Sequence, residues 1–188
     1  MNGEPGSEAR RADVSVEALE PDYFGMAATW LSQPDVNRWL TAEWRDRVIE
    51  PRLVAVAARN ARNRLFLARS SGVPCGVVGL SDLDTVDHLA MIWYALGPPS
   101  LRGRGVMSEA VQLVVRLAFE KLGLQCVYAW TMADNVSSQR VLIKNGFREV
   151  GRFRQSALSQ GVRVDRIYYD IIPIDTTRPS AAERRNMV

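Results

Sequence analysis

Hydrophobic positions along the chain switch between a period of two and a period near 3.6, which divides it into short strands and helices. Val14–Leu19 alternates apolar and polar residues like a half-buried strand, and Glu20-Pro21-Asp22 supplies a turn and a helix start. Tyr23, Phe24, Met26, Ala27, Trp30 and Leu31 form an apolar helical stripe that Gln33-Pro34-Asp35 interrupts. A second short helical region holding Trp39, Leu40 and Trp44 is expected next. A helix from Glu50 to about Arg62 follows, with Pro51 at an early position where its missing amide is harmless.

Leu65–Ala68 and Cys75–Leu80 are apolar runs separated by Ser70-Ser71-Gly72-Val73-Pro74, the pattern of a β-hairpin. After a polar Asp82-Leu83-Asp84 connection, His88–Leu96 reads as a third strand, closed by Gly97-Pro98-Pro99. Val106, Ala110, Leu113, Val114, Leu117 and Ala118 fall at helical spacing in a segment that runs to Leu122 and ends at Gly123. Cys126–Trp130 is a buried strand, and a helix-to-strand passage of this kind sets it parallel to the preceding strand by a right-handed crossover. Asp134-Asn135 caps a helix across Ser138–Lys144 that Asn145-Gly146 ends. Strands near Phe147–Gln155 and Val162–Ile172 then meet at a turn around Ser159-Gln160-Gly161.

Composition narrows the class. The 188 residues suffice for one domain with its own core, and 47% hydrophobic with 24% charged residues is ordinary for a soluble globular protein. Residues 1–12 and 174–188 lack apolar periodicity and read as a disordered lead and tail around a single domain, 13–173. No apolar run approaches the ~18–20 residues of a membrane span and no signal-peptide core is visible, so the expected location is cytoplasmic, without a membrane partner. Cys75 and Cys126 are far apart with no ligand spacing, which points to neither a disulfide framework nor a metal site. A net charge of +3 favours an acidic ligand, but the scattered arginines form no nucleic-acid-binding tract.

The most informative stretch is Ser100–Ala110, a basic, glycine-punctuated turn running into the long helix. Gly103 and Gly105 let a ligand approach the backbone, and the amides at the helix start have no intrahelical partner. The helix end carries roughly +0.5 charge, to which Arg102 and Arg104 add two full charges, a combination suited to a pyrophosphate. A tight loop with a solvated basic rim gives the same local pattern.

Two motifs together resemble the GNAT superfamily of acyl-CoA-dependent N-acyltransferases, and more narrowly its ribosomal-protein N-acetyltransferase (RimJ/RimL-like) branch. One is Arg102-Gly-Arg-Gly105-Val-Met107-Ser108-Glu109-Ala110, similar to the family's pyrophosphate turn. The other is Asn135-Val-Ser-Ser138 continuing to Asn145-Gly146-Phe147, similar to its Asn-x-x-Ser and Asn-Gly-Phe segment. The resemblance implies an α/β (α+β) fold: a mixed, mostly antiparallel six- to seven-stranded sheet with helices on both faces and a splayed central parallel pair. Acyl-CoA, most simply acetyl-CoA, would lie in the opening between the strands at about 88–96 and 125–131. Amides of Gly103, Arg104, Gly105, Val106, Met107 and Ser108, with Arg102, would hold the pyrophosphate. Pantetheine would pair with the strand from Trp93 to Leu96, with Asn135 and Arg140 also on the donor side.

For the chemistry, an amine must lose its proton, an oxyanion must be held and the departing thiolate must be stabilised. The resemblance assigns the oxyanion to a backbone amide around Tyr94 and the thiolate to the hydroxyl of Ser138; a local helix cap is the plain alternative for this serine. The branch often carries a glutamate just before the last hairpin turn, where this chain has Ser156-Ala157-Leu158. Asp84, with Asp82 and Asp87, is therefore the candidate base, against a solvated turn. Glu109 complements the helix dipole. Trp39, Trp44, Tyr128 and Thr131 are candidates to line the acceptor site, with core packing as the alternative, and His88 is the sole histidine. The acceptor is a small-molecule or protein amine, and the protein acts as a monomer or homodimer. Two further readings stay open: a donor carried on an acidic acyl carrier protein, and a non-catalytic acyl-CoA-binding module.

Overall fold

The computed structural model describes residues 13–176. The lead at 1–12 and most of the expected tail lie outside the described residues. Seven strands, β1 (Val14–Ala18), β2 (Arg64–Ser70), β3 (Val73–Asp84), β4 (Leu89–Leu96), β5 (Cys126–Met132), β6 (Arg148–Ser159) and β7 (Val162–Ile171), form one sheet in the order β1-β2-β3-β4-β5-β7-β6. Only β4 and β5 pair in parallel; every other pair is antiparallel. The helices are α1 (Phe24–Ser32), α2 (Pro34–Asn37), α3 (Pro51–Arg59), α4 (Val106–Glu120), α5 (Val136–Lys144) and α6 (Pro173–Thr176).

Strand alternation sorts the side chains to two faces. Ala90 and Ile92 of β4, with Val127 and Ala129 of β5, pack against Val106, Ala110, Val111 and Val114 of α4. Trp93 and Ala95, with Leu67 and Val77, pack against Ala27, Trp30 and Leu31 of α1 and Val54 of α3. Each fully buried aliphatic side chain contributes ~1.5–3 kcal/mol, so the two layers hold the sheet in place from both sides.

Several boundaries differ from the sequence reading. Both outer hairpins are tighter: Ser71-Gly72 and Gln160-Gly161 have positive φ at both residues, the two-residue turn that matches strand twist. β3 therefore starts at Val73 and runs through the supposed Asp82–Asp84 connection. β6 runs on to Ser159, across a break in register between Phe153 and Ala157. The α3 helix stops at Arg59, because Asn63 Nδ2 takes the Ala57 carbonyl and Asn60 Oδ1 accepts the Arg62 amide. The second short helical region is α2 alone, and residues 38–50, with Trp39, Leu40 and Trp44, are turns and irregular chain beyond it. Buried Asn37 organises them: its amide group donates to the Leu31, Trp44 and Arg47 carbonyls, and its Oδ1 accepts the Asp46 amide. At the end of the chain, α6 extends the domain past the expected boundary near 173, since buried Asp175 pairs with Arg148.

Candidate active site

The parallel pair is joined over only Leu89↔Cys126, Ala90↔Val127 and Met91↔Tyr128. Beyond that rung β4 stays paired with β3 as far as Leu96, and β5 with β7 as far as Met132, so the two central strands diverge. The His88 carbonyl faces β5 and the Gly97 amide faces β3. Backbone groups alternate along a strand, so those of Ile92, Tyr94 and Leu96 point into the gap with no strand to receive them. The Tyr94 amide and the Leu96 edge are thus unpaired backbone facing the gap. Trp93 is different: its backbone groups face β3, and its ring packs over Gly79, where a Cβ would collide with it. The unpaired backbone groups on this edge are therefore those of the even-numbered residues.

At the open end, the turn before α4 has its expected form. Gly103 and Gly105 have φ of 75° and 81°, and a Cβ at Gly103 would meet nothing within 4 Å. Gly105 is the N-cap of α4 without a side-chain cap bond. Among the described residues, the amides of Gly103, Gly105, Val106, Met107 and Ser108 have no protein acceptor. The side chains of Val106 and Met107 are buried in the core, and Ser108 Oγ accepts from Asn145 Nδ2 at 3.1 Å. These residues offer a ligand their backbone alone. Arg104 and Arg140 are exposed, and Lys144 Nζ would lie 3.7 Å from a Cβ at Gly105. Arg102 is already engaged, with Nη1 3.0 Å from Asp35 Oδ2 just inside α2. The cradle fits an anionic diphosphate: free donors, a helix end and cations around them.

Across the gap, Tyr94 Oη is 2.7 Å from Ser138 Oγ and 3.0 Å from the Ser138 carbonyl. Burial pushes the phenol well above its ordinary pKa, so it stays protonated and remains a donor. Ser138 is not the helix cap. Asn135 fills that role by accepting the Ser138 amide at 3.2 Å, which leaves the Ser138 hydroxyl to Tyr94. Asp134, read as part of the cap, instead accepts from Ser159 Oγ at 2.7 Å. Buried Thr131 lies beside the Tyr169 phenol on the α5 side of β5.

Other candidates are placed elsewhere. Asp84 Oδ1 accepts the Val86 and Asp87 amides at the tip of the β3–β4 hairpin, bonds that hold its carboxyl below the usual range. It pairs with Leu89, at the closed end of β4. At ~3.4 Å per residue Leu89 lies about 17 Å from Tyr94, too far for a base. Tyr128 sits at the last joined rung, its phenol pKa raised by burial and then by Asp82, and it forms the floor of the opening, not its wall. Trp39 is stacked under Arg38 at 4.2 Å, and Trp44 packs into the α1–α3 core while its carbonyl binds Asn37. Both cysteine pKa values are raised by burial, Cys75 to about 11, which suits packing and not nucleophilic attack. His88, exposed and with φ of 54°, belongs to the turn before β4. Asn37 and Trp130 were not among the candidates, since the burial of Asn37 and the face that Trp130 takes are set by packing that the sequence does not show.

This architecture recurs among known proteins. The Vibrio cholerae spermidine N-acetyltransferase structure in complex with CoA and spermine superposes with a TM-score of 0.78 over 88% of this chain and 98% of that one, at 16% identity. A probable acetyltransferase of known structure gives 0.69 at 25% identity, covering 86% and 94%. In sequence, the Bacillus subtilis protein named "Putative ribosomal N-acetyltransferase YdaF" is 31% identical over 101 residues, 54% of this chain and 55% of that relative. The Bacillus subtilis probable N-acetyltransferase YjcK is 44% identical over 63 residues, 34% of this chain and 35% of its own length. The chain thus aligns with about half the length, or less, of these curated relatives. The acetyltransferase (GNAT) domain pattern matches residues 14–148, from β1 through the glycine turn and the α5 segment. With the glycine turn, the diverging strands and the Ser138 helix all inside that match, the chain belongs to the GNAT acetyltransferase family.

Proposed function

We propose that the protein transfers an acetyl group from acetyl-CoA to a primary amine by direct attack in a ternary complex. The observation that carries this reading is the Tyr94–Ser138 pair spanning a gap whose β4 edge is unpaired and whose open end is a free-amide cradle. The cradle amides of Gly103, Gly105, Val106, Met107 and Ser108 hold the pyrophosphate, while the Arg104 amide is taken by the Leu101 carbonyl, and the free edge at Tyr94 and Leu96 receives the pantetheine amides. The Tyr94 amide, directed into the gap, is the donor for the carbonyl oxygen as it becomes an oxyanion.

The amine nitrogen bonds to the thioester carbonyl carbon, the carbon–sulfur bond breaks, and the sulfur takes the Ser138 proton. The proton shed by nitrogen passes to solvent, from which Ser138 is restored. Tyr94 has one proton for two acceptors: turned to the Ser138 carbonyl, its oxygen accepts a hydrogen bond from the serine hydroxyl; turned to Oγ, it donates to that oxygen and leaves the serine proton for the sulfur. The strand position where a glutamate base was sought holds Ala157, 2% exposed, so the amine enters already neutral. Relatives named as N-acetyltransferases, and the neighbour with CoA and spermine bound, support nitrogen as acceptor.

The test is thermal unfolding with acetyl-CoA, followed by CoA release with a panel of amines. Saturation at ~100 times Kd adds ~2.7 kcal/mol of stability. No shift with acetyl-CoA overturns the donor; a shift without thiol release from any amine overturns the transfer.

A further inference from the structure

On the face opposite α4 and α5, α1 and α3 cover β2 to β4, and no residue of β5, β6 or β7 belongs to that core. What the strands present there is a strip of aromatic side chains. Trp130 of β5 pairs in register with Tyr168 of β7, and the Phe153 ring of β6 tilts against Tyr168 with centroids 4.7 Å apart. Phe153 is 60% exposed, high for a phenylalanine. The strip begins one pleat beyond Tyr128, where β4 leaves β5, and so runs directly from the opening to the sheet edge.

Arg166 sits in the middle of it. Its guanidinium lies over the Trp130 ring at 4.4 Å, and its Nε is buried without a hydrogen-bond partner. It joins no ion pair among the described residues. The adjacent carboxylate is taken, since Asp165 accepts the Gln155 amide at 2.9 Å and faces Arg152 at 3.4 Å. A partly buried guanidinium fixed by an aromatic face and lacking a counter-ion is an incomplete anion site, because its desolvation is offset only by cation–π attraction. The surrounding hairpin adds to the field: with Arg148 paired to Asp175, and Arg152 to Asp165 and Glu149, it leaves Arg154, Arg163 and Arg166 against Asp170. Such a strip repels a polycation and attracts a carboxylate.

We propose that this strip is the acceptor platform and that Arg166 binds a carboxylate carried by the amine substrate. The acceptor class is therefore amino acids or peptide α-amines bearing a carboxylate, not polyamines. The assignment rests on the acyl-transfer reading, with Arg166 as a specificity residue that touches the acceptor away from the reacting nitrogen. A planar fork that can grip a carboxylate through two N–H groups suits this role better than a lysine.

The experiment measures CoA release with matched amines that differ in one carboxylate: free amino acids against their amides, and tripeptides with aspartate against asparagine at the second residue. Spermidine is the polycation. Wild-type enzyme should prefer the carboxylate member at least tenfold in kcat/KM, through KM, and use spermidine least. The amino-acid or tripeptide pair that shows the preference identifies the source. Arg166→Gln should bring the ratio near one, and Arg166→Lys should restore part of it. Equal use of both members, preference for spermidine, or an unchanged ratio in Arg166→Gln overturns the proposal. Wild-type ratios decide if that variant does not fold. If no amine releases CoA although acetyl-CoA raises Tm, the transfer reading fails separately. The carboxylate site is then read by whether the amino acids or aspartyl tripeptides raise the Tm of CoA-saturated wild type but not of Arg166→Gln; no rise overturns it.

Discussion

Tyr94 and Ser138 lie on opposite sides of the gap between β4 and β5, joined by a 2.7 Å contact between their hydroxyl oxygens. Tyr94 is the side chain through which the edge of β4 reaches α5, and Asn135, by capping the helix, leaves Ser138 available to it. Ser138→Ala should lower kcat ~100-fold and Tyr94→Phe ~10-fold, with acetyl-CoA affinity little changed, because general-acid contributions appear in the transition state. Steady-state kinetics on the double variant should show a loss well below the product of the two. A multiplicative loss, or equal losses in Kd and kcat, would make the pair structural.

Gly105 takes a left-handed conformation at the N-cap of α4, where an L side chain costs roughly 1–2 kcal/mol. Gly105→Ala should therefore weaken acetyl-CoA binding ~10-fold by calorimetry, since the turn relieves its strain by rotating amides out of the cradle. Gly151 has no positive φ and open space around it, so Gly151→Ala should leave that affinity unchanged.

The exposed Asp35–Arg102 pair contributes little stability, yet it holds one cradle cation against α2. Asp35→Asn should tighten acetyl-CoA two- to fivefold with Tm nearly unchanged, and the gain should vanish at ~1 M salt, where the screening length is about 3 Å. Titrations at low and high salt check both points.

Asn37 ties Trp44, Asp46 and Arg47 to the end of α1, while Ser32 Oγ holds Ile49. Asn37→Ala should cost ~2–4 kcal/mol in denaturant unfolding, from several buried carbonyls and an amide left unpaired. A cost under ~1 kcal/mol would show that the turns hold themselves.

Alkaline pH should destabilise the fold. Cys75 rises from 9.0 to about 11, and Tyr94, Tyr128 and Tyr169 are also raised by burial. These groups bind protons more tightly in the folded state, so their stabilisation is complete below the unfolded values and is lost as pH climbs through the folded ones. Tm should stay level from pH 7 to about 8.5 and fall from about pH 9 upward, with Cys75→Ala removing on the order of 2 kcal/mol of that pH dependence. Activity should have no descending limb below about pH 10 from Tyr94, because its phenol stays protonated there.

Most of the strands and helices were legible in the chain because each carries its own periodicity. Turn chemistry was harder to place: Ser71-Gly72 and Gln160-Gly161 ended up tighter than the polar clusters around them suggested, since cross-strand pairing consumes every residue it can reach. The stretch after α2 failed for another reason. Its tryptophans mimic a helical stripe, but local turn bonds together with the Asn37 side chain hold it in turns.

For the site, local motifs determined the glycine turn and the Asn135–Ser138 cap, because helix-end amides and caps are fixed by neighbours in sequence. Contacts distant in sequence decided the rest. That Tyr94 meets Ser138, that Arg102 meets Asp35, that Asp84 lies at the wrong end of β4, and that Arg166 stacks on Trp130 all follow from strand order and register. Sequence alone set most of the elements and the form of the glycine turn before α4. The divergence of β4 from β5, and the face each side chain takes across it, required the assembled sheet, since register is settled only when the strands pair and the two cores close over them.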